Sequence, residues 1–186
     1  MPEQKFWTEA NAEPKRKFRF KIQLFTNEVA WYAKSVTAPS FEISSIEHHF
    51  SDHVFHYPGK IKWNDVSVVL IDPAGDKDVV NQTLNLIKLA GYEIPTLTGV
   101  ADGTAFDTFS KTELVQNNGP VVLEATDQSG EVLEQWTLNN AFITSVKFGD
   151  FDYSSEDMRE IEITFKYDWA SCTINPAGTS IGYFNS

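Results

Sequence analysis

Hydrophobic and polar positions alternate without a break from residue 160 to residue 169. Ile161, Ile163, Phe165, Tyr167 and Trp169 fall on one side, and Glu160, Glu162, Thr164, Lys166 and Asp168 on the other. Successive strand side chains leave opposite faces of a sheet, so this run predicts a strand with one buried face and one wet or partner-facing face. Residues 135–138 and 141–148 supply two further strand-like runs, and the acidic stretch 149–157 links them to the first as a meander. Towards the N-terminus, residues 18–24 alternate and open the domain as a strand. Residues 30–36 form a second strand, paired through a turn at Thr26-Asn27-Glu28. After Pro39 the alternation resumes over 41–47, and the chain stays extended through 48–57 to a turn at Pro58-Gly59. Residues 63–72 are almost continuously apolar and predict a central strand.

A single helix is expected at about 77–90. Asp76 or Asp78 would cap it, Val80, Leu84 and Ile87 recur at helical spacing, and Gly91 stands at the C-terminal cap. Residues 92–110 have no regular period and predict a long loop, which inside a compact domain is usually an interaction element. Strands are expected at 111–116, 121–127 and 131–138, joined by hairpin turns at Asn117-Asn118-Gly119-Pro120 and Gln128-Ser129-Gly130. The fold class is therefore mainly β, an antiparallel barrel or sandwich with one flanking helix. A domain at 17–170 would lie between an N-terminal arm, 1–16, and a C-terminal tail, 171–186. On the polar arm Phe6 and Trp7 are large aromatics suited to anchor it on a neighbouring subunit.

Composition narrows the function classes. The 186 residues carry 26 acidic against 15 basic side chains, a formal charge of −11, which opposes ordinary nucleic-acid binding through neutralised phosphates. The lone cysteine, Cys172, excludes an intrachain disulfide. The opening residues contain no apolar core of signal-peptide length, and the most apolar stretch, 66–71, is too short to cross a bilayer, so a soluble chain is expected.

Candidate chemistry is sparse. His48, His49, His53 and His56 fall within nine residues, with Asp52 among them. On one continuous strand His49 and His53 share a face while His48 and His56 take the other, so the group converges on a metal only if the chain turns sharply. Walker loops, nucleophile elbows and paired-cysteine motifs are absent from the sequence. Acid pairs such as Glu156-Asp157 are expected by number alone in so acidic a chain. No catalytic residue, metal site or cofactor is expected.

The chain resembles the tail tube proteins of contractile-tailed bacteriophages, the T-even-like group, whose fold is shared with the Hcp tube of type VI secretion systems. The residues that carry the resemblance begin with Phe18-Arg19-Phe20-Lys21-Ile22 and Thr37-Ala38-Pro39-Ser40-Phe41-Glu42-Ile43. They continue with Tyr57-Pro58-Gly59-Lys60, Trp63-Asn64-Asp65-Val66-Ser67-Val68 and Asp72-Pro73. The last block is Trp136-Thr137-Leu138-Asn139-Asn140-Ala141-Phe142, Phe148-Gly149-Asp150-Phe151-Asp152-Tyr153-Ser154 and Tyr167-Asp168-Trp169. The order and spacing of these pieces, over about residues 17–170, carry more than any one of them.

The resemblance implies a structural subunit in hexameric rings that stack into a hollow tube. Glu160 and Glu162 are then the first candidates to line an acidic lumen, with Asp150, Asp152 and Glu124 behind them. Phe6, Trp7, Tyr92, Phe106, Phe109, Tyr183 and Phe184 are candidate inter-subunit contacts. The implied partners are further copies of the chain, a tail sheath protein, a tape-measure protein, baseplate and tail-terminator proteins, and DNA in passage without specific binding. The implied place is a virion tail assembled in the bacterial host cytoplasm. A baseplate-proximal tube initiator, or the tube of a contractile injection or type VI-like device, fits the same residues.

Overall fold

The computed structural model describes residues 14–25, 28–75, 77–92, 108–175 and 181–184, with backbone alone at 28–29. In chain order the elements are β1 (Phe20–Leu24), β2 (Glu28–Val29), β3 (Ala33–Val36), β4 (Phe41–Phe50), β5 (His53–Trp63) and β6 (Val66–Ile71). Two helices follow, α1 (Val79–Leu89) and α2 (Lys111–Asn118). The remaining strands are β7 (Val121–Thr126), β8 (Val132–Asn139), β9 (Phe142–Lys147), β10 (Glu160–Lys166), β11 (Trp169–Ile174) and β12 (Ile181–Tyr183).

The described strands make three antiparallel sheets: β12-β11-β8-β7-β1-β2, β3-β6-β10-β9, and β4-β5 by itself. The first two pack face to face. Ile22, Leu24, Val121, Leu138 and Ala170 from the larger sheet share one core with Val66, Val68, Leu70, Ile161, Ile163 and Phe165 from the smaller. Each large apolar side chain removed from water there contributes on the order of 1.5–3 kcal/mol before entropy is subtracted. The architecture is the expected antiparallel sandwich, flanked by two helices where one was expected.

β10 follows its alternation: Ile161, Ile163 and Phe165 are fully buried, and Glu160, Glu162 and Thr164 face outward. The expected strand over 160–169 is nonetheless two strands. At Tyr167-Asp168 the chain leaves the smaller sheet, and Trp169 opens β11 opposite Asn139 in the larger one. Asp168 holds this crossing, accepting hydrogen bonds from Lys111 Nζ at 2.8 Å and Asn140 Nδ2 at 2.8 Å. The crossing has a second consequence. Residues 171–174, expected as the start of a tail, are interior to the six-stranded sheet, and Cys172 is buried opposite Trp136 and Tyr183.

Residues 111–116, expected as a strand, form most of α2, and Asn117-Asn118 is its last turn rather than a hairpin. Leu114 and Val115 sit among polar residues in a stretch too short for period to separate strand from helix. Gly119, at φ +70°, ends this helix, and its amide donates to the Val115 carbonyl. α1 starts as expected: Asp78 caps it, accepting from the Asn81 amide at 2.8 Å. Its buried side is Val79, Thr83 and Leu86 rather than the Val80–Leu84–Ile87 stripe, and Leu84 is exposed. Residues 30–36, expected to pair with 18–24 through the 26–28 turn, instead give β3, Ala33–Val36, which pairs with β6 in the smaller sheet. The strand that pairs with β1 after the turn is the two-residue β2, and Trp31 is left exposed between β2 and β3.

The largest departure is at β4 and β5. The expected turn at Pro58-Gly59 lies inside β5, and the chain reverses instead at Ser51-Asp52, with Ser51 at φ +52°. Pro58 pairs with Ser45 inside this ribbon, and the register shifts just beyond it, between Ser45 and Ile43. Gly59 lets the strands close there. A Cβ on it would stand 2.3 Å from Ser44 Oγ, the atom that accepts the Lys60 amide hydrogen bond at 3.0 Å.

Candidate assembly surfaces

Four surfaces carry the residues singled out in the sequence: the outer faces of the two larger sheets, the β4–β5 ribbon, and the loop between β9 and β10. On the smaller sheet, Glu160 and Glu162 share the outer face, as the alternation requires. Each has a lysine partner from the same sheet, Glu162 from the adjacent strand β9 and Glu160 from β3, one strand further on. Lys34 pairs with Glu160, and Lys147 Nζ lies 2.7 Å from Glu162. At the far end of β10, Lys166 lies 3.4 Å from Asp65. The Glu160 hydrogen bond and charge hold the Lys34 ammonium above its ordinary pKa. This face is therefore a ladder of opposite charges rather than a bare acidic wall. Between the pairs, Ser67 and Thr164 hydroxyls meet at 3.3 Å.

Glu124 stands on β7 in the other sheet. Gln135 Nε2 donates to it at 3.2 Å, on an outer face that also carries Lys21, Gln23, Thr137, Ser171 and Thr173. The sandwich places it on the opposite side from Glu160 and Glu162, so these three acids do not meet.

Asp150 and Asp152 lie on the loop of residues 148–159, whose two ends are pinned. Gly149 takes φ +72°, and a Cβ on it would stand 2.4 Å from the Glu160 carbonyl oxygen, so only glycine fits. Arg159 closes the other end. Its Nε donates to the Phe148 carbonyl at 2.7 Å, and its guanidinium reaches Asp72 at 3.2 Å and covers the Phe151 ring at 4.6 Å. Between these clamps Phe151, Tyr153 and Met158 are exposed alongside Asp150, Asp152, Glu156 and Asp157. The Ser154 amide and hydroxyl donate to Asp152, which lowers its carboxyl pKa. Beside the Arg159 end, Trp31, Tyr32, Ile71, Pro73 and Met158 line an open, mainly apolar pocket of about 570 Å³.

The turn at Ser51-Asp52 brings the histidines together in a way a continuous strand does not. Glu47 lies across from His56, His48 from Phe55, and Phe50 from His53. On one face Glu47 stands 3.7 Å from His49 Nε2 and 3.9 Å from His56 Nδ1. The other face carries Ile46, His48, Phe50, His53, Phe55 and Tyr57, with the His53 and Phe55 rings edge to face at 4.6 Å. Among the described residues no group of three or more His, Cys, Asp or Glu side chains is placed to hold a metal ion. The sequence signal for this apolar face was present in Ile46, Phe50, Phe55 and Tyr57. It was missed because the reversal at 51–52 was not recognised.

Of the aromatic contact candidates, Tyr92 and Phe109 stack at 5.5 Å, both half-exposed, beside α1 and α2. Tyr183 lies in edge strand β12, and Phe184 meets Trp63 edge to face at 6.1 Å. Phe6, Trp7 and Phe106 lie outside the described residues. A second groove, about 860 Å³, opens between the β3 edge and β1, lined among others by Arg16, Lys17, Phe18, Lys34 and Trp136. Burial pushes the Cys172 thiol pKa up, which opposes a nucleophilic role.

No protein-family model and no curated protein sequence matches the chain. Solved structures do match. A chain of the sheath/tube terminator of an extracellular contractile injection system, PVC, in its extended state aligns at TM-score 0.64 and 20% identity, over 88% of this chain and 99% of that one. A chain of the anti-feeding prophage tube-terminating cap aligns at 0.63 and 20%, over 87% and 92%. A chain of the PVC sheath–tube complex aligns at 0.62 and 20%, again over 87% and 92%. At this identity the likeness is one of fold, and it spans nearly the whole of each chain.

Proposed function

We propose that this chain is a structural subunit of a contractile tube, closing into hexameric rings that stack around a hollow core. The observation that carries the reading is the set of strand edges. Among the described residues, β3 and β9 end the smaller sheet, β12 and β2 end the larger one, and β4–β5 has no third strand. Unpaired edges are a liability in a lone molecule and a means of joining copies in a ring. A heterologous contact that closes by rotation makes the ring, and stacking extends it. The fold likeness to chains of sheath–tube and terminator assemblies supports the same reading.

In this reading the outer face of the smaller sheet lines the lumen, with Glu160 and Glu162 among its charges. Each lysine there is engaged by a carboxylate, so the face offers passing phosphates little free positive charge. Asp150 and Asp152 lie at a ring face, and Glu124 on the outside. Partners would be a sheath on the outside, a tape-measure protein during assembly, and baseplate and terminator proteins at the two ends. In a virion the tail would assemble in the bacterial host cytoplasm and pass DNA. In an injection device the same duct would carry the device's cargo.

Electron microscopy of the purified protein, with its mass in solution, tests the reading. Rings or tubes with a stain-filled centre are expected, and a strictly monomeric species at high concentration overturns it. The likeness to two terminating assemblies favours a second reading, a ring that caps a tube without extending it. Rings that never lengthen at high concentration would select that one.

A further inference from the structure

The β4–β5 ribbon joins the body of the molecule through the indole of Trp63. Phe41 opens β4 and Trp63 closes β5, and the two residues pair across the ribbon with their rings edge to face at 5.2 Å. Just below them the Asn64 amide donates to the Ser40 carbonyl at 2.9 Å, and Asn64 Nδ2 donates to Ser40 Oγ at 3.2 Å. These bonds tie the two strands to each other and leave their angle to the sandwich unset. Among the described residues no third strand joins the ribbon. At about 3.3 Å per residue its reach is on the order of 30 Å, so a tilt of about 10° at the root moves the tip by about 5 Å.

Two rings of the body meet Trp63, and they are held in different ways. Tyr167, 5.9 Å away, is 6% exposed and sits at the crossing between β10 and β11. Phe184 meets the indole edge to face at 6.1 Å. It follows β12, a three-residue edge strand paired with β11, and is itself 57% exposed. Phe184 also takes φ +57°, in the left-handed region where a bulky side chain is an outlier. Strain of that kind persists where surrounding contacts impose it, and here the contact made is the one with Trp63.

We propose that residues 181–184 are a latch that sets the angle of the ribbon. With β12 on β11, Phe184 completes the seat of Trp63 and holds one pose. When β12 leaves β11 the ring leaves with it, and the ribbon swings about Ser40 and Asn64 with Trp63 resting on Tyr167 alone. The edge of the larger sheet and the tip of the ribbon are thereby coupled, although they belong to different sheets. An aromatic pair of this geometry shifts an equilibrium by roughly two- to twelvefold, enough to favour one pose and small enough to be undone. The latch works within one subunit and goes beyond the tube reading without depending on it.

Spin labels on Ser51→Cys at the ribbon tip and Ser129→Cys in the β7–β8 turn, both exposed, read the pose as a distance distribution, with the buried Cys172 kept. The labelled protein is diluted into excess unlabelled protein, so that only pairs within one chain are measured. With Phe184 in place, one narrow distribution is expected. Phe184→Ala should broaden it, raising the population outside the main distance roughly two- to twelvefold while the thermal unfolding midpoint stays where it was. Phe184→Tyr, which keeps the ring, should restore the narrow form, and a chain ending at Tyr183 should behave as Phe184→Ala does. An unchanged distribution in Phe184→Ala or in the shortened chain, with or without a lower midpoint, would overturn the proposal. So would a broadening that Phe184→Tyr fails to reverse.

Discussion

The body of the sandwich and the β4–β5 ribbon are built from the same alternating pattern and end in opposite states. In β10 every second side chain is sealed: Ile161, Ile163 and Phe165 are each 0% exposed. In β4 all ten residues are exposed, although Phe41, Ile43, Ile46 and Phe50 are as apolar as anything in β10. Alternation declares a strand. It does not supply the layer that covers it. For β10 that layer is the six-stranded sheet of the same chain. For the ribbon the described residues offer none.

The sharpest way to break the contrast is at its buried end. Phe165→Ala opens a cavity between the two sheets and should cost about 3–5 kcal/mol in denaturant unfolding. A loss near that of a surface change would mean the sheets are not sealed against each other. Alkali probes the same region. Burial raises the Tyr167 hydroxyl pKa to about 12, above its ordinary value of 10.0. The folded state therefore holds this proton more tightly than the unfolded chain does. The stability involved is complete below pH 10 and is lost as pH climbs towards 12, on the order of 2 kcal/mol. Tyr167→Phe should flatten that part of the stability profile; an unchanged slope would assign it to other tyrosines.

A smaller effect is expected at the clamp of the 148–159 loop. Gly149→Ala places a methyl group against the Glu160 carbonyl in a left-handed conformation, costing about 2 kcal/mol and loosening the loop. Faster amide exchange at residues 150–158, with β10 unchanged, would confirm the clamp. The least effect on folding belongs to Phe50→Ala. Because Phe50 is already in water, unfolding should shift by less than about 0.5 kcal/mol. A large loss of monomer stability would show that the tip packs on its own body and would erase the comparison.

What could be read from the chain alone was local and periodic. The strand at 18–24, the core stripe of β10, the buried run of β6 and the Asp78 cap all follow from side-chain spacing and capping chemistry, which neighbours in sequence determine. So did the sandwich as a fold class. Short segments escaped this logic: 111–116 satisfies either period, and tertiary packing of α2 against α1 and β9 chose the helix. The reversal at Ser51-Asp52 escaped because neither residue is an obligatory turn former, while Pro58-Gly59 gave a strong local signal that the ribbon absorbs as a strand pair with a register shift. The crossing at Tyr167-Asp168 was hidden by perfect alternation, since nothing in a period of two records which sheet a residue joins. The same holds for charge. Sequence set Glu160 and Glu162 on one face, but only the pairing of β10 with β9, and the closeness of β3, put Lys147 and Lys34 against them. Spacing decides which way a side chain points, and long-range pairing decides what it meets.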